Sequence, residues 1–266
     1  MSESSTIVMK RVLSDMYFLG RKCIFCKKYG LYKLADKRIK CKHCKKRYSL
    51  EKLKTDLQIL YYFYLEVSAR KTAREMNLDY KLIHRRFMKF RRLIANYCIN
   101  KTKILSGELE LDESYFGGKR KGQRGRGAKN KAIVFGILER KGKIYTVIVQ
   151  NVDAETLMKE IENKAEKGSV FYTDGWKSYA SLNQYGKHNI IDHDKELVNN
   201  HNHINGIEGF WSFAKERFHK YHGISKTNYP LYIKEMEFRF NHRNENVYKL
   251  LIDISIVGRQ FSPELG

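Results

Sequence analysis

Four of the five cysteines occur as two closely spaced pairs near the start of the chain, which limits how this region can fold. The pairs are Cys23-x2-Cys26 and Cys41-x2-Cys44, with 14 residues between them. Two such knuckles can supply four thiolates to one tetrahedral zinc ion, although the spacer is one residue shorter than the usual ~15–20. Disulfide bonds are the alternative, but they need an oxidising compartment for which nothing in the sequence argues. The pattern predicts a zinc-ribbon module over residues 1–50.

The chain is strongly basic. It has 52 Lys and Arg against 29 Asp and Glu, a formal net charge of +23, whereas a charge of about 2–8 is ordinary for a small domain. His43 lies inside the second cysteine pair and could replace a ligand, but a solvated basic position is the simpler interpretation. Basic residues crowd around the knuckles: Lys27, Lys28, Lys40, Lys42, Lys45, Lys46 and Arg47. The excess predicts a polyanionic partner.

Membrane attachment and secretion are not expected. No apolar run approaches the ~18 residues of a membrane span, and no lipidation signal is visible. The start of the chain lacks the basic and apolar regions of a signal peptide. With 266 residues there is room for about two domains.

The region after the cysteines has helical periodicity. Apolar side chains recur at three- and four-residue steps in three segments, with a short break at residues 77–79 before the last. Three helices with a tight turn before the third are typical of a helix-turn-helix, which we assign to residues 51–103. The third helix carries basic residues suited to phosphates and base edges: Lys81, His84, Arg85, Lys89 and Arg92. A plain helical bundle with a solvated basic face is the alternative.

From Gly107 onward the pattern changes to β-strands. Predicted strands cover residues 108–116, 132–138, 143–150, 170–173 and 189–192, and Asp153 caps a helix between the third and fourth strands. A three-stranded meander, a crossover helix and a further strand are the order of a ribonuclease-H-like fold. This is an α/β class, with a mixed sheet and flanking helices, in which the first and fourth strands are neighbours. We assign this domain to residues 104–266.

Three acidic residues and a lysine are spaced so that they could meet. Asp112 and Asp174 each follow an apolar, β-rich run, so they would lie at neighbouring strand ends. Glu208 comes 34 residues after Asp174 (208 − 174) in a predicted helix, outside its apolar stripe. Lys215 is seven residues further, about two turns, so it shares a face with Glu208. The stripe itself consists of Ile207, Phe210, Trp211, Ala214 and Phe218.

These segments resemble a known family. The likeness is carried by residues 111–118, 173–176, 203–215, 222–226 and 237–243, and it extends from about residue 23 to 243. The chain resembles the DDE transposases, specifically the bacterial insertion-sequence group related to the Merlin transposons, which carry an ISXO2-like transposase domain. The resemblance implies binding of transposon terminal repeats, strand cleavage at the element's ends and strand transfer into target DNA. It also implies a homo-oligomer on double-stranded DNA, in the bacterial cytoplasm or in the nucleus of a eukaryotic host.

The residues themselves indicate metal-dependent phosphoryl transfer. Three converging carboxylates repel unless a cation lies among them, and their hard oxygens select Mg²⁺ or Mn²⁺. Asp112, Asp174 and Glu208 are therefore the predicted catalytic metal ligands of a two-ion site, and Lys215 is predicted to hold a DNA phosphate. Glu113 points to the other face of its strand and has at most a supporting role. The resemblance singles out His203 and Asn205 as supporting residues, and Asn205 is the alternative to Glu208, because some relatives have asparagine at the third acidic position.

Other features have competing interpretations. The basic segment 117–131, with Arg124 and Arg126, lies beside Asp112 and is predicted to grip phosphates; a solvated loop is the alternative. Trp176 could stack on a base or pack in the core. Trp211, on the apolar stripe, is predicted to be a core residue.

Two other functions are compatible with the sequence. One is a non-enzymatic DNA-binding regulator derived from a transposase, although the three acidic residues are intact. The other is a ribonuclease-H-like nuclease or resolvase that cuts but does not join. Short inverted repeats flanking the coding region would distinguish a transposase from such a nuclease or resolvase.

Overall fold

The computed structural model describes residues 21–101, 103–117, 131–174, 177–191, 204–221 and 223–261. Contacts divide the chain into two compact units, residues 1–93 with 246–266 and residues 94–245. The C-terminal helix therefore belongs with the first unit, whereas the sequence assigned it to the catalytic domain. None of the described helices is long and apolar enough to cross a membrane.

The described elements follow the predicted order. The helices are α1 (Leu50–Tyr64), α2 (Ala69–Met76), α3 (Tyr80–Lys101), α4 (Ala154–Lys164), α5 (Asn205–His219), α6 (Tyr229–Asn241) and α7 (Val247–Phe261). The strands are β1 (Leu31–Lys33), β2 (Ile39–Cys41), β3 (Arg47–Tyr48), β4 (Glu108–Phe116), β5 (Ala132–Glu139), β6 (Ile144–Val149), β7 (Val170–Asp174) and β8 (Lys187–Ile191). Two 3-10 helices cover Lys177–Gln184 and Lys226–Asn228.

The first unit combines a small sheet with helices. Strands β1, β2 and β3 form an antiparallel sheet in that order. Helix α2 ends at Met76, and the next residue, Asn77, caps it with a left-handed φ of 50°. Asp79 then caps α3 by accepting the Leu82 N–H at 3.0 Å. The predicted break at residues 77–79 is therefore a three-residue turn. Phe63 of α1 packs edge-on against Phe87 of α3, with ring centroids 5.2 Å apart.

The second unit contains a five-stranded mixed sheet in the order β6-β5-β4-β7-β8. Strands β6, β5 and β4 pair antiparallel, whereas β4 pairs with β7, and β7 with β8, in parallel. Helix α4 lies between β6 and β7 in the chain, as a crossover connection requires. This topology confirms the predicted ribonuclease-H-like fold. It includes the predicted adjacency of β4 and β7, which are the first and fourth strands of this sheet in chain order.

Each face of this sheet has its own core. Leu109 and Leu111 of β4 lie in one core with Leu157 and Ile161 of α4. Phe116, at the end of the same strand, lies in the other core with side chains of α5 and α6. Since side chains alternate along a strand, the even-numbered residues of β4, Glu110 and Asp112 among them, face α5.

Side chains of α6 satisfy the outer edge of β6. The Asn241 amide accepts a hydrogen bond from the Ile144 N–H and donates one to the Ile144 carbonyl, both at 2.8 Å. Glu237 accepts the Thr146 N–H at 2.8 Å, and Lys234 donates to the Thr146 carbonyl at 2.7 Å. At residues 144 and 146 the outward backbone groups of this edge strand are therefore occupied and unavailable for pairing with another chain. Part of the 237–243 segment that carries the family resemblance therefore has a structural role.

Candidate active site and zinc centre

Helix α5 is seated on the sheet by its apolar stripe. Ile207, Phe210, Trp211 and Ala214 are buried, as the periodicity predicted. Gly136 of β5 lies directly beneath the indole, since a Cβ at position 136 would be 2.8 Å from Trp211 Cζ2. A glycine is therefore needed there for the helix to approach the sheet closely.

Asp112 is tied to this helix. Its Oδ2 atom accepts a hydrogen bond from Trp211 Nε1 at 2.9 Å, so the indole is both a core residue and a polar partner. Burial raises the pKa of the Asp112 carboxyl to about 7, and the negative charges of Glu113 and Asp174 contribute to the increase. An electrostatic environment that disfavours a buried carboxylate favours a cation beside it.

Asp174 lies at the end of the neighbouring strand. Glu110 is opposite Tyr172 in the parallel pair of β4 and β7, an offset of 62 residues (172 − 110). Extending the same offset by two residues puts Asp112 opposite Asp174 (112 + 62). Tyr172 lies in the core beneath α5, so Asp174, two residues on, faces the same side. The two aspartates therefore face the same side of adjacent strands. Asp174 is the last residue of β7, whereas Asp112 lies in the middle of β4 and not at the strand end that the sequence predicted.

Glu208 and Lys215 occupy the exposed side of α5. Both are solvent-exposed, and their separation of seven residues places them on one face, with Trp211 three residues after Glu208. Among the described residues, the three acids are not a cluster whose ligand atoms all lie within 4.8 Å of one another. The arrangement brings Asp112 and Asp174 to the same side of adjacent strands and leaves the Glu208 side chain exposed on α5.

The other described residues that the sequence predicted to contribute to the site are distributed over β4, α5 and α3. Glu113 faces away from α5 and accepts a hydrogen bond from the Tyr179 hydroxyl at 3.0 Å. Asn205 is exposed in the first turn of α5. On α3, Arg85 and Arg92 are exposed and Lys89 is half-buried. Four predicted residues lie outside the described parts of the chain: Arg124, Arg126, Trp176 and His203.

The four cysteines form a second site. Cys23 Sγ is 3.5 Å from Cys44 Sγ, Cys26 Sγ is 3.6 Å from Cys41 Sγ, and all four sulfurs lie within 4.8 Å of one another. The two knuckles have equivalent backbones. Lys27 and Lys45, each directly after a pair, have φ of 60°, and their N–H groups donate to the carbonyls of Cys23 and Cys41.

The pKa values of two of these cysteine thiols are shifted by their surroundings, as expected for a group of metal ligands. Burial raises the pKa of Cys23 to about 12. Burial also opposes ionisation of Cys41, but hydrogen bonds from the backbone amides of Cys44 and His43 lower its pKa to about 6. One thiolate opposes the formation of the next, so four can coexist only around a cation. This cluster has the donor set and compactness of a structural zinc site.

Two polar residues at the active-site face were missed by the sequence analysis. Glu110 is buried, and its carboxylate accepts the Ile207 backbone N–H at 2.8 Å. Arg140, just after β5, donates to the same carboxylate at 3.2 Å. The alternation Leu109–Glu110–Leu111–Asp112 contained a signal for Glu110, because it puts Glu110 on the same face as Asp112.

Strand order, paired aspartates and the covering helix define the class of this unit, a ribonuclease-H-like domain. Residues 104–241 match the family described as the ISXO2-like transposase domain. The chain belongs to that transposase family.

Individual relatives support this assignment. The chain is 44% identical over 103 residues to an uncharacterized transposase-like protein of Haemophilus influenzae, covering 38% of this chain and 84% of that protein. It is 23% identical over 262 residues to an uncharacterized protein in transposable element ISH50 of Halobacterium salinarum, covering 86% and 87% of the two chains.

Two solved structures share a low overall similarity with the chain. The catalytic core domain of BIV integrase has a TM-score of 0.35 and 10% identity, covering 58% of this chain and 99% of that one. The Mos1 strand transfer complex has a TM-score of 0.28 and 10% identity, covering 74% and 76%. The fold assignment rests on the strand order described above.

Proposed function

We propose that this chain binds the terminal repeats of a mobile element, cleaves DNA strands there in a metal-dependent reaction and joins them to target DNA. One observation carries the proposal. Asp112, in the middle of β4, and Asp174, the last residue of β7, face the side of the sheet that α5 covers, and α5 carries Glu208 and Lys215 on its exposed side. Family membership supports DNA as the substrate.

The donor chemistry of this face fits Mg²⁺ or Mn²⁺. Asp112 and Asp174 offer hard carboxylate oxygens. The pKa of Asp112 is raised by burial and, to a lesser extent, by the negative charges of Glu113 and Asp174, and a nearby cation would offset both effects. Glu208 is the third proposed ligand, with Asn205, one turn earlier and also exposed, as the alternative. A pair of such ions, when bound, activates the attacking oxygen and stabilises the leaving oxygen of phosphoryl transfer.

The protein's own groups orient these ligands and the DNA. The Trp211 indole N–H holds one oxygen of Asp112 and thereby fixes the direction of the other. Lys215 shares a face with Glu208 and would contact a backbone phosphate near the scissile bond. The exposed Arg85 and Arg92 of α3, together with the basic ribbon, are proposed to hold the terminal repeat, with Lys89, Arg124 and Arg126 as further candidate contacts.

Replacing Trp211 by Phe tests the orienting role. The variant keeps an aromatic ring in the core but loses the N–H donor to Asp112, and loss of such an outer hydrogen bond costs about 10–100-fold in metal affinity or activity. We expect a comparable loss in the initial rate of donor-end cleavage. Phe210→Leu is the control, because it trims the same core without touching a carboxylate. It should lower Tm but largely preserve the rate, and equal losses in both variants would contradict the assignment.

Replacing Lys215 by Ala tests the phosphate contact. If Lys215 grips the phosphate beside the scissile bond, its removal misplaces the DNA, and a displacement of ~1 Å can cost about 100-fold in rate. Fold stability should hardly change, because exposed charges contribute weakly. Lys220→Ala is the matched control, since position 220 lies five residues on, about 140° around the helix from Lys215. Similar cleavage by the two variants would mean that this face does not meet DNA.

One assay separates the proposed function from its rivals. Purified protein is incubated with labelled terminal-repeat DNA, a target plasmid and Mg²⁺ or Mn²⁺. We expect cleavage at the repeat and covalent joining to the target. Cleavage without joining would favour a nuclease or resolvase, and specific binding without cleavage would favour a regulator.

A further inference from the structure

Glu110 is a buried carboxylate on the face of β4 that meets α5. Its side chain is only 2% exposed. Oε2 accepts the Ile207 backbone N–H at 2.8 Å, and Oε1 accepts Arg140 Nε at 3.2 Å. Both carboxylate oxygens therefore have partners, and the helix is bonded to the strand through its backbone.

The start of α5 depends on this carboxylate. The N-cap residue Ile204 is buried and makes no side-chain capping bond. A buried helix terminus needs acceptors for its first N–H groups, and a negative charge there is favoured by the helix dipole. Gly206 lets Glu110 approach, because a Cβ at position 206 would be 2.8 Å from Glu110 Oε2.

Arg140 holds Glu110 from the other side. Its side chain is only 14% exposed, and it also pairs with Glu108 at 3.3 Å. The guanidinium lies 3.6 Å from the centroid of the Tyr172 ring. A cation fixed at several points neutralises Glu110 and restricts its orientation.

Two hydrogen bonds join β4 to α5 with matching spacing. Glu110 and Asp112 are two residues apart on the strand, about 6.6 Å, and their partners Ile207 and Trp211 are four residues apart on the helix, about 6 Å. Bonds at both positions fix the direction of the helix along the strand as well as its distance from it.

We propose that Glu110 is a positioning residue that holds the first turn of α5 against β4, so that Glu208, the residue after Ile207, stays within reach of an ion bound by Asp112. The assignment rests on the proposed function. Glu110 does not itself meet DNA or metal, because both of its oxygens face protein donors.

The test compares two buried glutamates. Glu110→Gln leaves one oxygen for two donors and turns an amide N–H toward one of them. Glu237→Gln controls for replacing a buried glutamate away from α5, because Glu237 is 2% exposed and its Oε2 accepts a backbone N–H, from Thr146, and a cation, Lys234. Each full-length variant is measured for Tm, hydrogen exchange along residues 205–219, Mn²⁺ affinity and donor-end cleavage.

The proposal predicts local effects in α5 for Glu110→Gln only, whatever the change of Tm in either variant. In Glu110→Gln, exchange of the first turn of α5 should accelerate by about 10-fold or more, as expected for loss of a charged hydrogen bond. Mn²⁺ should bind about 10-fold more weakly, and cleavage should fall by about 100-fold. Glu237→Gln should leave these three quantities near wild type. Gly206→Ala, whose Cβ would crowd both Leu138 Cδ2 at 2.7 Å and Glu110 Oε2 at 2.8 Å, should also lower cleavage.

Two results would overturn the positioning role: unchanged exchange and Mn²⁺ affinity in Glu110→Gln, or equal losses in both glutamine variants. Failure of the proposed function itself is recognised separately, because the wild type would then not cleave donor ends and Asp112→Asn would not change Mn²⁺ affinity. Hydrogen exchange in α5 decides the anchoring in either case.

Discussion

Asp112→Asn is expected to reduce donor-end cleavage by at least about 1,000-fold, since a metal ion contributes several kcal/mol to stabilising charge in phosphoryl transfer. The amide keeps the size of the side chain and can still accept the Trp211 N–H through its oxygen, but it removes a charged ligand. Cleavage is measured as the initial rate on a labelled terminal repeat in Mg²⁺ and in Mn²⁺.

The same variant should be at least as stable as wild type in metal-free buffer. The folded-state pKa of Asp112 is about 7 against an ordinary 3.8, so the folded chain prefers the neutral carboxyl. Its contribution to stability is fully present below about pH 4 and is lost as the pH rises through about 7. At pH 8 the neutral amide avoids that loss, and Tm should rise; below pH 4 the two proteins should differ little.

Asp153→Asn is the matched control for both measurements. Asp153 is exposed and caps α4 by accepting the Thr156 N–H at 2.8 Å, a task that asparagine performs equally well. Its rate and Tm should remain near wild type. An Asp112→Asn protein that cleaves at more than a tenth of the wild-type rate would exclude Asp112 as a metal ligand.

Cys41→Ser is expected to remove the single zinc ion and to unfold the ribbon. The three strands there contain only three, three and two residues, and few buried apolar side chains accompany them. Such a segment buries too little surface to fold alone, so we expect zinc binding, worth about 10–16 kcal/mol in structural zinc sites, to supply its stability. Elemental analysis should find one zinc per wild-type chain and none in the variant, and terminal-repeat binding should weaken strongly.

Cys98→Ala controls for general effects of losing a buried cysteine. Cys98 is buried in the other unit, where its thiol lies 3.8 Å from the Lys234 carbonyl, and it takes no part in the four-cysteine cluster. The control should retain the full zinc content and the ribbon. Zinc that persists in Cys41→Ser, or a wild type that contains none, would contradict the assignment.

Local patterns in the sequence were enough for much of the fold. Alternating and helical periodicity predicted the strands and helices of the ribonuclease-H-like domain. The β-rich runs before Asp112 and Asp174 predicted acids on adjacent strands, although only Asp174 lies at a strand end. The cysteine spacing predicted one compact cluster. These features could be read from the sequence because each depends on residues close together along the chain.

The C-terminal helix α7 shows where local patterns are insufficient. Its sequence is compatible with packing on either unit, and the sequence-based assignment left it in the catalytic domain. Tyr248 packs instead on Tyr61 and Tyr64 of α1, with ring centroids 5.5 and 5.4 Å apart. Which partner an apolar face chooses depends on shape complementarity in three dimensions, and the helical period does not contain that information.

By itself, then, the sequence determined the class of fold, the cluster of four cysteines and the face of α5 that is buried. Only the tertiary structure decided how that helix is held: Glu110 bonds to Ile207 and Asp112 to Trp211, across 97 and 99 residues of chain. Periodicity identified Trp211 as a core side chain but could not say which acceptor its N–H would meet. Buried polar groups must find partners wherever the fold brings them, and those partners are fixed by the packing of strand against helix, which no short segment encodes.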